Sequence, residues 1–110
     1  MGTTYQLINL SKKEVINYCH LPASKLREIV GNPVASAITT WYLINNVGDT
    51  ITFLSDLEES PQDIEHYKEV TDRIINDLIQ SQILKDEGFM YVDEDDPSIF
   101  IRDLKNIWID

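Results

Sequence analysis

Four consecutive acidic residues, Asp93-Glu94-Asp95-Asp96, are the first candidates for chemistry, because closely spaced carboxylates hold divalent cations. An EF-hand calcium loop needs oxygen ligands at loop positions 1, 3 and 5, glycine at 6 and a bidentate glutamate at 12. Counted from Asp93, positions 5, 6 and 12 are Pro97, Ser98 and Leu104, so that pattern fails. The run reads as a solvated turn or as an anionic patch for a basic protein. Cys19 and His20 adjoin in sequence. On a helix, neighbouring side chains diverge by about 100°, which makes a poor nucleophile–base pair. His66 falls near the edge of an apolar stripe, and two histidines with one cysteine show no zinc spacing. Asp49 and Asp56 bracket the segment TITFL and offer a carboxylate pair, although carboxylates at strand ends commonly cap turns. Four scattered glycines, Gly2, Gly31, Gly48 and Gly88, write neither a phosphate loop nor a dinucleotide fingerprint. The residues therefore nominate no catalytic group, no metal ligand and no cofactor. Binding is the expected activity.

The elements that must carry such a surface belong to one domain. The chain has 110 residues, 43% hydrophobic and 25% charged, which fits a single α+β domain over 1–110. One cysteine excludes an internal disulfide framework and suits a reducing compartment. No apolar run reaches the roughly 20 residues of a membrane span. The opening MGTTYQ lacks the basic and apolar regions of a signal peptide, and Gln6 stands where a myristoylation signal has Ser or Thr. A cytoplasmic protein is expected. Charge is uneven. Residues 1–55 carry four basic and three acidic residues; residues 56–110 carry five and sixteen, a net of −11.

Residues 4–10 (TYQLINL) predict a strand. Ser11-Lys12-Lys13-Glu14 matches a capping box and predicts a short helix to about Tyr18. Ser24 predicts the cap of a second helix, Lys25–Val30, ending at Gly31. Asn32-Pro33 opens a third to about Asn46, apolar on more than one face and expected in the middle of the domain. Its Trp41 and Tyr42 are expected in the core. Thr50–Leu54 predicts a strand with Ile51 and Phe53 on one face. Ser60-Pro61 predicts the longest helix, to about Ser81, with Ile64, Tyr67, Val70, Ile74, Ile75, Leu78 and Ile79 on its buried stripe and a Glu69–Arg73 pair outside. The remainder predicts a turn at Lys85–Gly88, a strand Phe89–Val92, the acidic turn, a strand Ser98–Arg102 and a short terminal helix holding Leu104, Ile107 and Trp108. The expected architecture is α+β, helices on one face of a small, mainly antiparallel sheet.

A long helix followed by two strands around a loop resembles a winged-helix ending. Those elements carry the −11, and phosphate contacts need Lys or Arg, so no direct nucleic-acid binding is expected. The segments GNPVASAITTWYLINNVGDTITFLSD and TYQLINLSKKE resemble small bacterial proteins of this length. In size, acidity and lack of an active-site signature the chain resembles immunity proteins of bacterial toxin systems, including contact-dependent inhibition. That resemblance implies binding and neutralising one cognate toxin, often a basic nuclease, and transfers no contact residue. The acidic residues of loops and helix starts supply the candidate contacts: Glu58, Glu59, Asp63, Asp93, Glu94, Asp95 and Asp96. Trp108 is either a cover for a sheet edge or an exposed anchor for a partner. The alternative reading is an adaptor or regulatory subunit that binds another protein through its apolar helix.

Overall fold

The computed structural model describes residues 4–21 and 25–108. Strand β1 (Tyr5–Asn9) forms as expected, but Glu14–Asn17 is a second strand, β2, and not a helix. The reason lies in where the capping-box side chains point. Asn9 Oδ1 accepts the Lys12 N–H at 2.9 Å and closes a tight turn, completed by Lys13 at φ 56°. Ser11 Oγ accepts from Thr50 N at 2.8 Å, across the sheet. Glu14 receives the Tyr42 hydroxyl at 2.7 Å. Val15 and Ile16 are β-branched and both buried, which suits a strand covered on both sides.

Helix α1 (Leu26–Gly31) matches expectation; its proposed cap, Ser24, lies outside the described residues. Helix α2 (Pro33–Ile44) starts as the Asn-Pro signal predicts, with Asn32 Oδ1 accepting from Val34 N and Ala35 N at 2.9 and 3.0 Å. Only one face of α2 enters the core, through Val34, Ala35, Ile38 and Tyr42; Leu43 and Ile44 are exposed, and Trp41 is half-buried. Strand β3 (Ile51–Ser55) follows.

The long helix expected from Pro61 is broken. Residues 61–63 turn, Ile64–His66 make one 3₁₀ turn, Lys68–Glu69 form strand β4, and α3 is only Thr71–Gln80. Extended backbone wins at 68–70 because β2 has an open edge there. Lys68 N donates to Lys13 O and Val70 N to Val15 O, each at 3.0 Å. Thr71 Oγ1 then takes the Asn17 N–H at 3.0 Å. Within α3 the predicted stripe holds: Ile74, Ile75 and Leu78 are buried. Arg73 pairs with Glu14 at 3.4 Å and not with Glu69.

The main sheet has order β3-β1-β2-β4, antiparallel except for the parallel β2/β4 pair. Helices lie on the face of Leu7 and Ile16, which join Ile38, Tyr42, Ile74 and Leu78 in one core. The connection from Ser55 to Lys68 begins beside Tyr5 and ends beside Glu14, at opposite corners of the sheet. It therefore crosses the face away from the helices, where Ile8 is fully buried. The C-terminal strands form a separate two-stranded ribbon, β5 (Leu84–Val92) and β6 (Phe100–Asn106). Leu84 of β5 belongs to the same core, and Leu104 packs against it. The expected α+β class is what the chain adopts, with its strands divided between two sheets.

Asn9 is fully buried and bonds to Tyr42 Oη, Asp49 Oδ2 and Lys12 N, each at 2.9 Å. Asn9→Leu strips those partners inside a closed site and is expected to cost about 2–3 kcal/mol. Urea unfolding monitored by tryptophan fluorescence measures it; a loss below about 0.5 kcal/mol, the scatter of ordinary surface changes, would show that the network is dispensable.

Candidate functional site

The ribbon is the part of the molecule that leaves the core. Its base is tied down by Leu84, by Ile107 N donating to Ile83 O at 2.9 Å, and by Asn106 Nδ2 on Pro33 O at 3.0 Å. Lys85–Gly88, expected as a reversal, is a bulge inside one continuous strand. Gly88 sits at φ 101°, where a side chain would be strained, and its N–H donates to Asp86 Oδ1 at 2.9 Å. A hairpin at that point would need a partner strand before it, and Ile83-Leu84 is too short to supply one. The expected terminal helix is also absent: Leu104 lies in β6, and residues to Trp108 continue without a helix.

Arg102 joins the ribbon to the body. Its guanidinium bridges Asp72 of α3 at 3.1 Å and Asp86 of β5 at 3.0 Å, with only 17% of the side chain exposed. His20 stacks on Phe100 with ring centroids 3.8 Å apart and planes 3° from parallel. Its Nδ1–H donates to the Phe100 carbonyl at 3.0 Å. These groups line a cleft of about 280 Å³ between α3 and the ribbon. They act as a clasp between the ribbon and the body. Cys19 beside it is exposed, and burial against the chain and the charge of Glu69 push its thiol pKa up, away from nucleophile chemistry.

Beyond the clasp the ribbon is apolar and in solvent. Phe89, Met90, Tyr91, Val92 and Ile99 are 46–61% exposed. Consecutive strand residues face opposite sides, so both faces of the arm carry apolar side chains. The arm ends in the acidic turn, where the structure separates the four carboxylates into two pairs. Asp93 Oδ1 accepts from Asp95 N at 2.8 Å and Asp96 N at 3.1 Å, and Oδ2 takes the Tyr91 hydroxyl at 3.0 Å. Asp96 Oδ1 accepts from Ser98 N and Oγ. These bonds hold both carboxyls below the usual carboxylate range. Asp93 and Asp96 thus shape the loop. Glu94 and Asp95 make no side-chain bond among the described residues and point their charge outward from it. No group of three or more ligating side chains suited to a metal occurs among the described residues.

The other predicted contacts are elsewhere. Glu58 accepts from Ser55 Oγ at 3.0 Å in the turn after β3, Glu59 is exposed nearby, and Asp63 pairs with Lys13 at 2.7 Å. No hydrogen bond or ion pair among the described residues links them to the ribbon loop. Asp49 binds Lys12 at 2.6 Å at one end of β3, while Asp56 N donates to Thr4 O at the other, so they form no carboxylate pair. His66 is exposed beside Glu65. Trp108 is 77% exposed and lines a groove with Trp41 and Ile44 of α2, about 490 Å³ and without a charged residue in its lining. The apolar arm is not among the expected contacts. Its signal was Phe89–Val92 itself, four apolar residues in a row where a strand packed on one side would alternate.

No helix among the described residues is long and apolar enough to cross a membrane. Comparison with family models, curated proteins and solved structures finds no match to this chain.

The clasp predicts a pH response. The Gly88 N–H and then the Arg102 guanidinium lower the Asp86 pKa from 3.8. A carboxyl depressed by folding stabilises above its unfolded value, and that contribution disappears as pH falls through the folded value. Amide exchange in β5 near Asp86 should therefore accelerate below about pH 4, relative to α3, and Arg102→Met should remove the part of that difference due to the guanidinium while leaving the part due to the Gly88 N–H. Identical pH profiles in the two proteins would assign the acid sensitivity to other groups.

Proposed function

We propose that the chain is a non-enzymatic inhibitor of the immunity type, which binds a basic protein toxin, in the first instance a nuclease, in the cytoplasm of the cell that makes it. One observation carries the reading: an exposed apolar arm, Phe89–Val92 with Ile99, ends in a rigid loop that presents Glu94 and Asp95. Aromatic and Met side chains are typical anchors at interface centres, and an acidic rim steers a basic partner. A nuclease site is cationic because its substrate is anionic, so the same charges that recruit nucleic acid recruit this loop. The whole chain, at −10, adds to the steering. Glu58, Glu59 and Asp63 extend the acidic field from a second position.

The test starts with the reading frame beside this gene. Expressed alone it should arrest growth, and co-expression with this protein should restore it. Arrest without rescue overturns the immunity reading. With the purified pair, Glu94→Lys together with Asp95→Lys should slow association by about tenfold and flatten its dependence on salt. Tyr91→Ala should act mainly on dissociation, raising it by about tenfold or more. An association rate unchanged by the charge reversals would remove the loop from the interface.

The uncharged groove of Trp41, Ile44 and Trp108 favours the second reading, an adaptor that docks another protein on α2. It predicts a complex whose affinity is nearly independent of salt and sensitive to Trp108→Ala.

A further inference from the structure

The two long edges of the ribbon are not equivalent. Asp93 N donates to Ile99 O at 2.9 Å, which sets the phase of the antiparallel ladder. Tyr91 and Ile101 are then a hydrogen-bonded pair, and Val92, opposite Phe100, points its N–H and C=O away from β6. Beyond the register shift, Phe89 lies opposite Arg102. Arg102 N leaves the ribbon to donate to His20 O at 2.8 Å, so Phe89 also directs its backbone groups outward. On the β6 side two of the outward groups are taken: His20 occupies the Phe100 carbonyl as well as the Arg102 N–H. On the β5 side, the N–H and C=O of Phe89 and Val92 have no partner among the described residues.

We propose that the outer edge of β5 between Phe89 and Val92 receives an extended, basic segment of the partner protein by strand addition; this rests on the reading of the chain as a binder of a basic protein. An open strand edge offers paired donors and acceptors, and side chains on both faces of it grip alternate residues of an added strand. The devices that usually blunt an edge, an inward charge, lysine or proline, are absent from Phe89–Val92. The bulge twists the edge and limits it to a short segment. Charge selects the occupant. Asp86 is held by Arg102 and Glu87 lies 3.8 Å from Lys85, whereas Glu94 and Asp95, just past the open stretch, are engaged by no side-chain bond among the described residues, so a lysine or arginine flanking an added strand meets carboxylates at that end. A second copy is disfavoured by the same groups. Antiparallel pairing of two β5 edges would place Glu87 of one chain beside the acidic loop of the other, and like charges across a ladder repel.

The first test needs no toxin. The whole protein is titrated with a short peptide alternating lysine and valine, with the same peptide N-methylated at alternate residues, and with a glutamate–valine peptide. Backbone amides are followed by NMR hydrogen exchange. The lysine peptide is expected to bind and to protect the N–H groups of Phe89 and Val92. The methylated peptide keeps its charge, loses donors and should bind about tenfold more weakly. Equal affinity of the two cationic peptides, absence of binding, or protection confined to other amides overturns the strand-addition proposal. In the co-expression assay Val92→Pro removes one outward N–H while leaving the β6 pairing intact. Rescue by the native protein but not by Val92→Pro, with the variant folded by circular dichroism, supports the edge. Equal rescue by both, with equal affinity for the toxin, overturns the edge and leaves the inhibitory reading standing. Failure of the native protein to rescue overturns the inhibitory reading, while the peptide titration still judges the edge.

Discussion

One buried amide holds the body of this protein together. Asn9 ends β1, closes the turn into β2, and binds both the hydroxyl of Tyr42 on α2 and the carboxylate of Asp49 ahead of β3. The Tyr42 hydroxyl donates a hydrogen bond to Glu14, and Glu14 meets Arg73 of α3. Five elements are thus fixed relative to one another by a chain of bonds that begins at a fully enclosed side chain. Inside a protein such a chain either satisfies every member or is costly, and among the described residues no buried side-chain polar atom lacks a partner. Burial and the Glu14 carboxylate raise the Tyr42 pKa, so the hydroxyl stays protonated and remains the donor that the network requires.

The ribbon is built by a different rule. Its inner end uses core contacts, a fork of Arg102 on two carboxylates, and a histidine stacked on an aromatic ring. Its outer end has neither core nor cover. Two-stranded ribbons are marginal alone, so the clasp at the base is what lets the apolar end stand in solvent. Rigidity there would serve the proposed binding, because side chains already fixed lose less entropy when a partner arrives. The internal bonds of Asp93 and Asp96 serve the same end by holding the loop that carries Glu94 and Asp95.

Local signals were legible in the sequence where one segment decided its own structure. Asn32-Pro33 opened a helix because cap and first-turn geometry are local, and Ile74, Ile75 and Leu78 faced inward because their spacing is helical. The readings failed where a distant partner decided. Ser11 and Glu14 matched a capping box, yet Thr50 and Tyr42 claimed their side chains. Lys68-Glu69 continued a helical stripe, yet the open edge of β2 drew them into a ladder. Gly88 signalled a left-handed residue correctly, but that geometry serves a bulge as well as a turn. Of the acidic candidates, sequence gave their charge and not their duties: Asp63, Asp93 and Asp96 have bonds within the fold, while Glu94 and Asp95 do not.

The contrast between the two edges of the ribbon bears on why the arm is tolerated. An exposed apolar edge invites self-association, and the ordinary remedies are substitutions within the strand. Here the strand itself keeps its aromatic and aliphatic residues, and the countermeasure lies at both ends as carboxylates. Charge placed this way opposes a like molecule at long range and attracts a cationic one, which is the selection the proposed binding to a basic protein requires. His20 adds to the asymmetry by taking the Phe100 carbonyl and the Arg102 N–H on the β6 side. On the proposed reading, an arm with His20 on one edge, the other edge open and carboxylates at both ends selects its partner by geometry and charge together.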